Sequence, residues 1–257
     1  MLRMRPFDFA RLRTSVTVPA RLIARALLAF LALGPVLGGC AGSRAAGTPA
    51  APAAGGTVLY IAGDSPRVGN DGIIHRALEA RGLTVRDVTV AAAPAQAAGA
   101  RLVVMSYSML SKDLRAEDWA DLPVPIMVLE HFLLPRLGMT TANGFEAGAT
   151  TLTMVSDDRS LTAGLTGDVL VYGPLSKEMF WGVPGPGAIK VATTLGHPDH
   201  VAYFAYPAGA MMPARPAPGK RLQFFLAAHA PPPVPDEFLN GNGIKLLGAA
   251  LDWLLRP

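Results

Sequence analysis

Thiols are almost missing from this chain: its 257 residues contain one cysteine, Cys40. No disulfide can form within it, and cysteine-ligated metal centres are excluded. Charge is scarce too. Charged residues make up 16% against 51% hydrophobic, a balance that argues against disorder and for a compact globule. The apolar stretch 26–37 spans about 12 residues, short of the roughly 20 that a membrane-spanning helix needs, and Pro35 breaks it near its end. There is no Arg-Arg pair, so a twin-arginine export route has no support. The glycine-rich loops match no phosphate-binding fingerprint, so no nucleotide cofactor is expected. No internal repeat is evident.

What is present begins with the arrangement around Cys40. Arg3, Arg5, Arg11, Arg13, Arg21 and Arg25 precede the apolar stretch, and Leu37, Gly38, Gly39 and Cys40 follow it. A basic segment, a short apolar core and small residues before a cleavage point have the layout of an export signal. The tetrad 37–40 resembles the lipobox of bacterial lipoproteins, in which the thiol is acylated and the chain is cut just before it. That resemblance implies a signal peptide over 1–39, lipidation at Cys40 and attachment to a membrane by several acyl chains, since a single chain holds only marginally. Ala41, in place of the aspartate associated with inner-membrane retention, points to the outer membrane in a two-membrane cell, and otherwise to the outer face of the plasma membrane. With six arginines and Asp8, residues 1–39 carry a net charge of +5. The whole chain carries +4, so residues 40–257 carry −1. The basic character therefore belongs to the precursor, and no nucleic-acid partner is implied.

Residues 40–56, rich in Ala, Gly and Pro, read as a flexible tether, and the domain is expected over 57–257. Apolar runs at 58–62, 83–90, 101–108 and 124–130 read as strands, the first followed by a helix capped by Asp71 and ended by Gly82. A short helix is expected over 111–120 and a helical turn over 131–137. His75 is expected on a helix surface. Strands that alternate with helices and are continuously apolar imply a parallel sheet covered on both faces. In the second half, runs at 151–155, 168–172, 189–195, 201–206 and 222–227 are joined by short Gly/Pro-rich links, so an antiparallel extension is expected. Gly196–His200 reads as a hairpin loop, and 243–255 as a closing amphipathic helix.

The order of Val58–Asp64, Arg101–Ser108 and Val124–Glu130 resembles the trehalose-utilisation (ThuA-like) branch of the class I glutamine amidotransferase-like superfamily. It is more similar still to a domain common in secreted bacterial proteins. Leu161–Leu165 matches an element of that domain usually led by His-Pro, where this chain has Arg159-Ser160. Phe180–Gly185, Phe204–Tyr206 and Arg221–Leu226 continue the resemblance over most of 57–255. It implies a flavodoxin-like α/β sandwich with a site at the carboxyl ends of the strands, the edge where open α/β sheets bind ligands. Amidotransferases of the superfamily carry a catalytic cysteine at the sharp turn after the fourth central strand. Here the corresponding turn carries Glu130-His131, so glutamine hydrolysis by a thiolate is excluded.

Asp64, Ser106, Ser108, Glu130, His131, Trp181 and His229 are the candidate ligand-binding residues. Neither serine has the flanking glycines of a nucleophile elbow, and turn or cap roles suit them better. Glu130 and His131 read either as an acid/base pair together with Asp64, or as a first-turn carboxylate beside a partly exposed imidazole. Trp181 is either part of a sugar-stacking platform or a ring that pins its loop. His197, Asp199 and His200 read as solvated turn residues, not as a metal site. No cofactor is expected. The expected role is a lipid-anchored extracytoplasmic protein that takes a small polar ligand, such as a carbohydrate, or an envelope partner. The alternative is a sugar-active hydrolase or isomerase that uses Glu130 and His131.

Overall fold

The computed structural model describes residues 55–64, 66–173, 178–227 and 238–257. The signal segment, Cys40, most of the tether and His229 lie outside the described residues. No helix among the described residues is long and apolar enough to cross a membrane.

Successive side chains of a strand point to opposite faces, and the first strand is apolar at every position from 58 to 61. It must therefore be covered on both sides. Strand β1 (Thr57–Ile61) does this by sending Val58 and Tyr60 to one hydrophobic cluster and Leu59 and Ile61 to another. Strands β2 (Thr84–Val88), β3 (Ala100–Met105) and β4 (Ile126–Val128) join it in parallel. Ile73, Ile74 and Leu78 of helix α1 (Gly69–Glu79) cover the first face. On the opposite face lie Trp119 and, from helix α2 (Leu133–Arg136), Leu133 and Leu134. Where one helix over 111–120 was expected, two 3₁₀ turns occur, at Ser111–Asp113 and Ala116–Trp119. Apolar residues at 114, 116, 119 and 120 are buried there, and short turns bring them down without a continuous helical stripe.

The chain then leaves the parallel sheet. Strands β5 (Thr140–Ala147), β6 (Thr151–Met154), β7 (Gly167–Leu170), β8 (Glu178–Pro184), β9 (Ile189–Thr194) and β10 (His197–Tyr206) pair antiparallel. Helix α3 (Arg159–Thr162), capped by Asp158, links β6 to β7. Strand β11 (Arg221–Gln223) returns parallel to β4 and antiparallel to β10, so it welds the extension to the parallel core. Arg221 is fully buried, and its guanidinium donates to the carbonyls of Ala120, Leu122 and Val124. Those contacts lock the approach to β4 against the returning strand. Helix α4 (Gly241–Leu255), capped by Asn240, closes the fold on the α1 face.

The parallel strands run in the order β2-β1-β3-β4-β11. That is the flavodoxin-like order 2-1-3-4-5, with β11 as the fifth member. The fold class read from the sequence, a parallel α/β sandwich with an antiparallel extension in the C-terminal half, is therefore correct.

β5 and β8 were not foreseen as strands. They pair with Gly144 opposite Trp181, and an added Cβ at Gly144 would sit 2.6 Å from the Trp181 ring. The absent side chain makes room for the indole, as an aromatic placed opposite a strand glycine often does. Gly144→Ala is expected to lose about 1–3 kcal/mol of stability through overpacking, measured as a lower denaturant midpoint with an altered near-ultraviolet signal from Trp181. An unchanged midpoint would mean that the ring relaxes without cost.

Candidate functional site at the β1/β3 crevice

The connections that follow β1 and β3 leave to opposite faces of the sheet. α1 packs on one side, and the turn around Trp119 on the other. Between the carboxyl ends of β1 and β3 the strand order reverses, and it is at such switch points that open α/β sheets place the crevice for a ligand. Gly63 and Asp64 follow β1, and Ser106, Tyr107 and Ser108 follow β3. The two loops approach closely. A Cβ at Gly63 would lie 2.5 Å from the Ser108 carbonyl oxygen, so only glycine fits there.

A buried carboxylate organises the crevice floor. Asp71 lies in the first turn of α1 and is 1% exposed. The hydroxyls of Tyr60 and Ser106 both donate to its Oδ1, at 2.6 Å each. Ser106 has one proton to give and gives it to Asp71, so in its 2.9 Å contact with Ser108 Oγ the Ser108 hydroxyl is the donor. The backbone N–H of Ser108 also donates to Ser106 Oγ, and that of Gly63 to Ser108 Oγ. A continuous hydroxyl chain thus leads from the buried acid to Ser108, which is exposed, as is Asp64 in the loop after β1. Burial raises the Asp71 pKa above the usual carboxylate value, an effect partly offset by the surrounding hydroxyl donors. Burial also raises the pKa values of Tyr60 and Tyr107, with the charge on Asp71 adding to it.

Two expectations for this region are corrected. Asp71 does not cap α1: the residue at the cap position is Val68, which makes no side-chain cap bond. His75 is not a surface residue. It is 2% exposed, its ring tilted against that of Tyr60, with Nδ1 bonded to the Asp71 carbonyl and Nε2 2.6 Å from Asp87.

Glu130 and His131 follow β4, at the same edge. Glu130 Oε1 accepts from the Phe132 backbone N–H at 3.0 Å and lies 3.3 Å from His131 Nδ1. The imidazole packs against Phe132 and Phe180, at centroid distances of 4.0 and 4.2 Å. Glu130 is 3% exposed and His131 1%, so the imidazole is not partly exposed as one reading of the sequence supposed. The pair seals the strand end and does not line an opening.

Trp181 belongs to a different place. It lies in β8 of the extension, where the His200 ring stacks on its indole at 3.7 Å and 3°. One face of the indole is therefore covered by His200. His197 and His200 are not in a hairpin loop either. The turn is Leu195-Gly196, with Gly196 at φ +81°, and β10 already begins at His197.

The crevice therefore brings together Asp64, Ser106 and Ser108, sets Glu130 and His131 nearby under cover, and leaves Trp181 apart. Tyr60, Asp71 and Tyr107 were missed. The one available signal was the position of Tyr60, whose strand parity directs it toward the helix that follows.

No family model matches the chain, and no curated protein matches it. Among solved structures it is similar to a GMP synthase component from Thermoplasma acidophilum, at 14% identity and a TM-score of 0.42, over 77% of this chain and 96% of the other. It is also similar to PurLQS of Thermotoga maritima, at 13% identity and a TM-score of 0.43, over 77% and 99%. Likenesses this distant say nothing of chemistry, and the fold class rests on the strand order itself.

An acid with a raised folded pKa holds its proton more tightly in the folded state. Its contribution is fully present below the unfolded value of about 3.9 and is lost as pH rises through the higher folded value. Asp71→Asn removes that loss. The difference in stability, variant minus wild type, is expected to become more positive as pH rises from about 3 to 7, followed by denaturant midpoints. A flat difference would mean that burial places no charge penalty on Asp71. Asp71→Ala, by contrast, takes from the buried Tyr60 hydroxyl its acceptor, at roughly 1–3 kcal/mol, while Ser106 keeps its contacts with Ser108.

Proposed function

We infer that this chain is a lipid-anchored extracytoplasmic binding protein, with an amidotransferase-like scaffold that lacks amidotransferase chemistry. Its ligand is a small polar molecule such as a carbohydrate, held in the β1/β3 crevice. The observation that carries this reading is the hydroxyl chain from buried Asp71 to exposed Ser108, at the sheet edge that also carries the exposed Asp64. Oriented hydroxyls and a carboxylate on a fixed floor are the donor and acceptor set that a polyhydroxylated ligand needs. The sole thiol, at position 40, supports the rest: in the lipobox reading it is spent on acylation and leaves no sulfur for catalysis.

An envelope protein is a second reading, favoured by apolar side chains exposed in the segments that follow the parallel strands. Leu110 is 65% exposed and Phe132 49%, a pattern that suits protein contact better than sugar contact. An acid/base enzyme built on Glu130 and His131 is less well supported, because nearly complete burial keeps a substrate from both.

Two measurements test the assignment. Cys40→Ala is expected to move the protein from the membrane fraction to the soluble fraction and to abolish incorporation of labelled palmitate. Membrane retention without label would sink the lipid anchor. In a thermal-shift panel of mono- and disaccharides, stabilisation by a sugar is expected to be lost in Asp64→Asn and Ser108→Ala. A shift that survives both changes would place the ligand elsewhere.

A further inference from the structure

We propose that Glu146, His197 and His200 form a site for a divalent transition-metal ion of the zinc class, with an open coordination position facing a neighbouring cleft. Their donor atoms all lie within 4.8 Å of one another. Glu146 Oε1 is 2.6 Å from His200 Nδ1, and Glu146 Oε2 is 3.9 Å from His197 Nε2. Two imidazoles and one carboxylate are the protein ligands of one common type of open zinc site.

The local fold explains how three scattered residues meet. In a regular strand, residues three apart point to opposite faces. β10 is not regular here. His197 pairs with Thr194 while Val201 pairs with Thr193, so four steps on β10 oppose a single step on β9. Such a bulge re-aims side chains, and bulges recur next to functional sites. It sets the two imidazoles parallel, at a centroid distance of 4.9 Å and an angle of 6°. Glu146 comes from β5, through the β5–β8 pair. Trp181 lies flat on His200 and Gly144 makes room for Trp181, so the His200 ring is held from behind. Packing or a hydrogen bond behind a metal-binding imidazole is what fixes its orientation.

The separations suit an ion after a small adjustment. Tetrahedral ligands at about 2.1 Å from zinc stand roughly 3.4 Å apart. The Glu146–His200 pair must open slightly and the Glu146–His197 pair must close. His197 has a side chain 52% exposed, so its ring is free to swing inward. A cleft of about 290 Å³ adjoins the triad, lined by Glu146, Thr150, Thr194 and His197 among others. It leaves room for a water molecule or a small oxygen-donor ligand at the fourth position. Asp199, the acid nearest in sequence to both histidines, is not part of the cluster.

The test titrates purified full-length protein, stripped with chelator, with zinc ions in competition with a chromophoric chelator. Wild type is expected to bind one equivalent, and Glu146→Gln, His197→Ala and His200→Ala each to weaken that binding by about tenfold to 100-fold, the range seen when metal sites lose a supporting group. Zinc should also raise the melting temperature of wild type but not of His197→Ala. His197 is half exposed, so this variant keeps its fold, as circular dichroism would check. Stoichiometric binding unchanged in all three variants, or no binding in the micromolar range, would overturn the site.

Discussion

A carboxylate with no access to water constrains this molecule more than any other single group. Asp71 sits where the first turn of α1 meets the ends of β1 and β3, and it accepts from a hydroxyl on each strand segment. Removing a charged or chargeable group from water is costly unless its partners are placed well. The partners must therefore hold their positions: Tyr60 through the strand and Ser106 through the turn after β3. The crevice geometry follows from that arrangement. Gly63 is pressed against the Ser108 backbone because the two loops are drawn to the same point. Ser108 is oriented because Ser106 is already committed to Asp71.

The antiparallel extension has a different organising element. There a glycine–tryptophan pair and a strand bulge do the positioning. Gly144 admits the indole, the indole supports His200, and the bulge in β10 turns His197 to the same side. The two polar centres thus belong to different layers of the architecture, one at the switch point of the parallel sheet and the other in the inserted strands. At the strand end after β4, Glu130 and His131 are buried, with the imidazole packed against Phe132 and Phe180. The pair is used here to close the edge.

The parallel core was legible because its strands are apolar at consecutive positions and separated by turn residues. β1, β2, β6, β7 and β9 fall within a residue or two of their expected ranges. β5 and β8 were not legible. Thr140–Ala147 carries Asn143, Gly144 and Glu146, residues that read as loop until the partner strand supplies Trp181 to cover the glycine. Asp71 was misread for a related reason. An acid just ahead of an apolar run looks like a helix cap, and only the approach of Tyr60 and Ser106 reveals its other use. The same holds for Glu146, which is about fifty residues from the histidines that it meets.

Local periodicity and composition, which depend on each residue's neighbours in the chain, determined the covered parallel sheet, the late antiparallel strands, the closing helix and the absence of any thiol beyond Cys40. Tertiary structure alone decided which polar side chains share a place: Asp71 with Tyr60 and Ser106, and Glu146 with His197 and His200. The reason is physical. A strand or helix follows from the pattern of apolar side chains along a short segment. The meeting of polar groups distant in sequence depends on register, bulges and loop closure, which are settled only when the sheets pack.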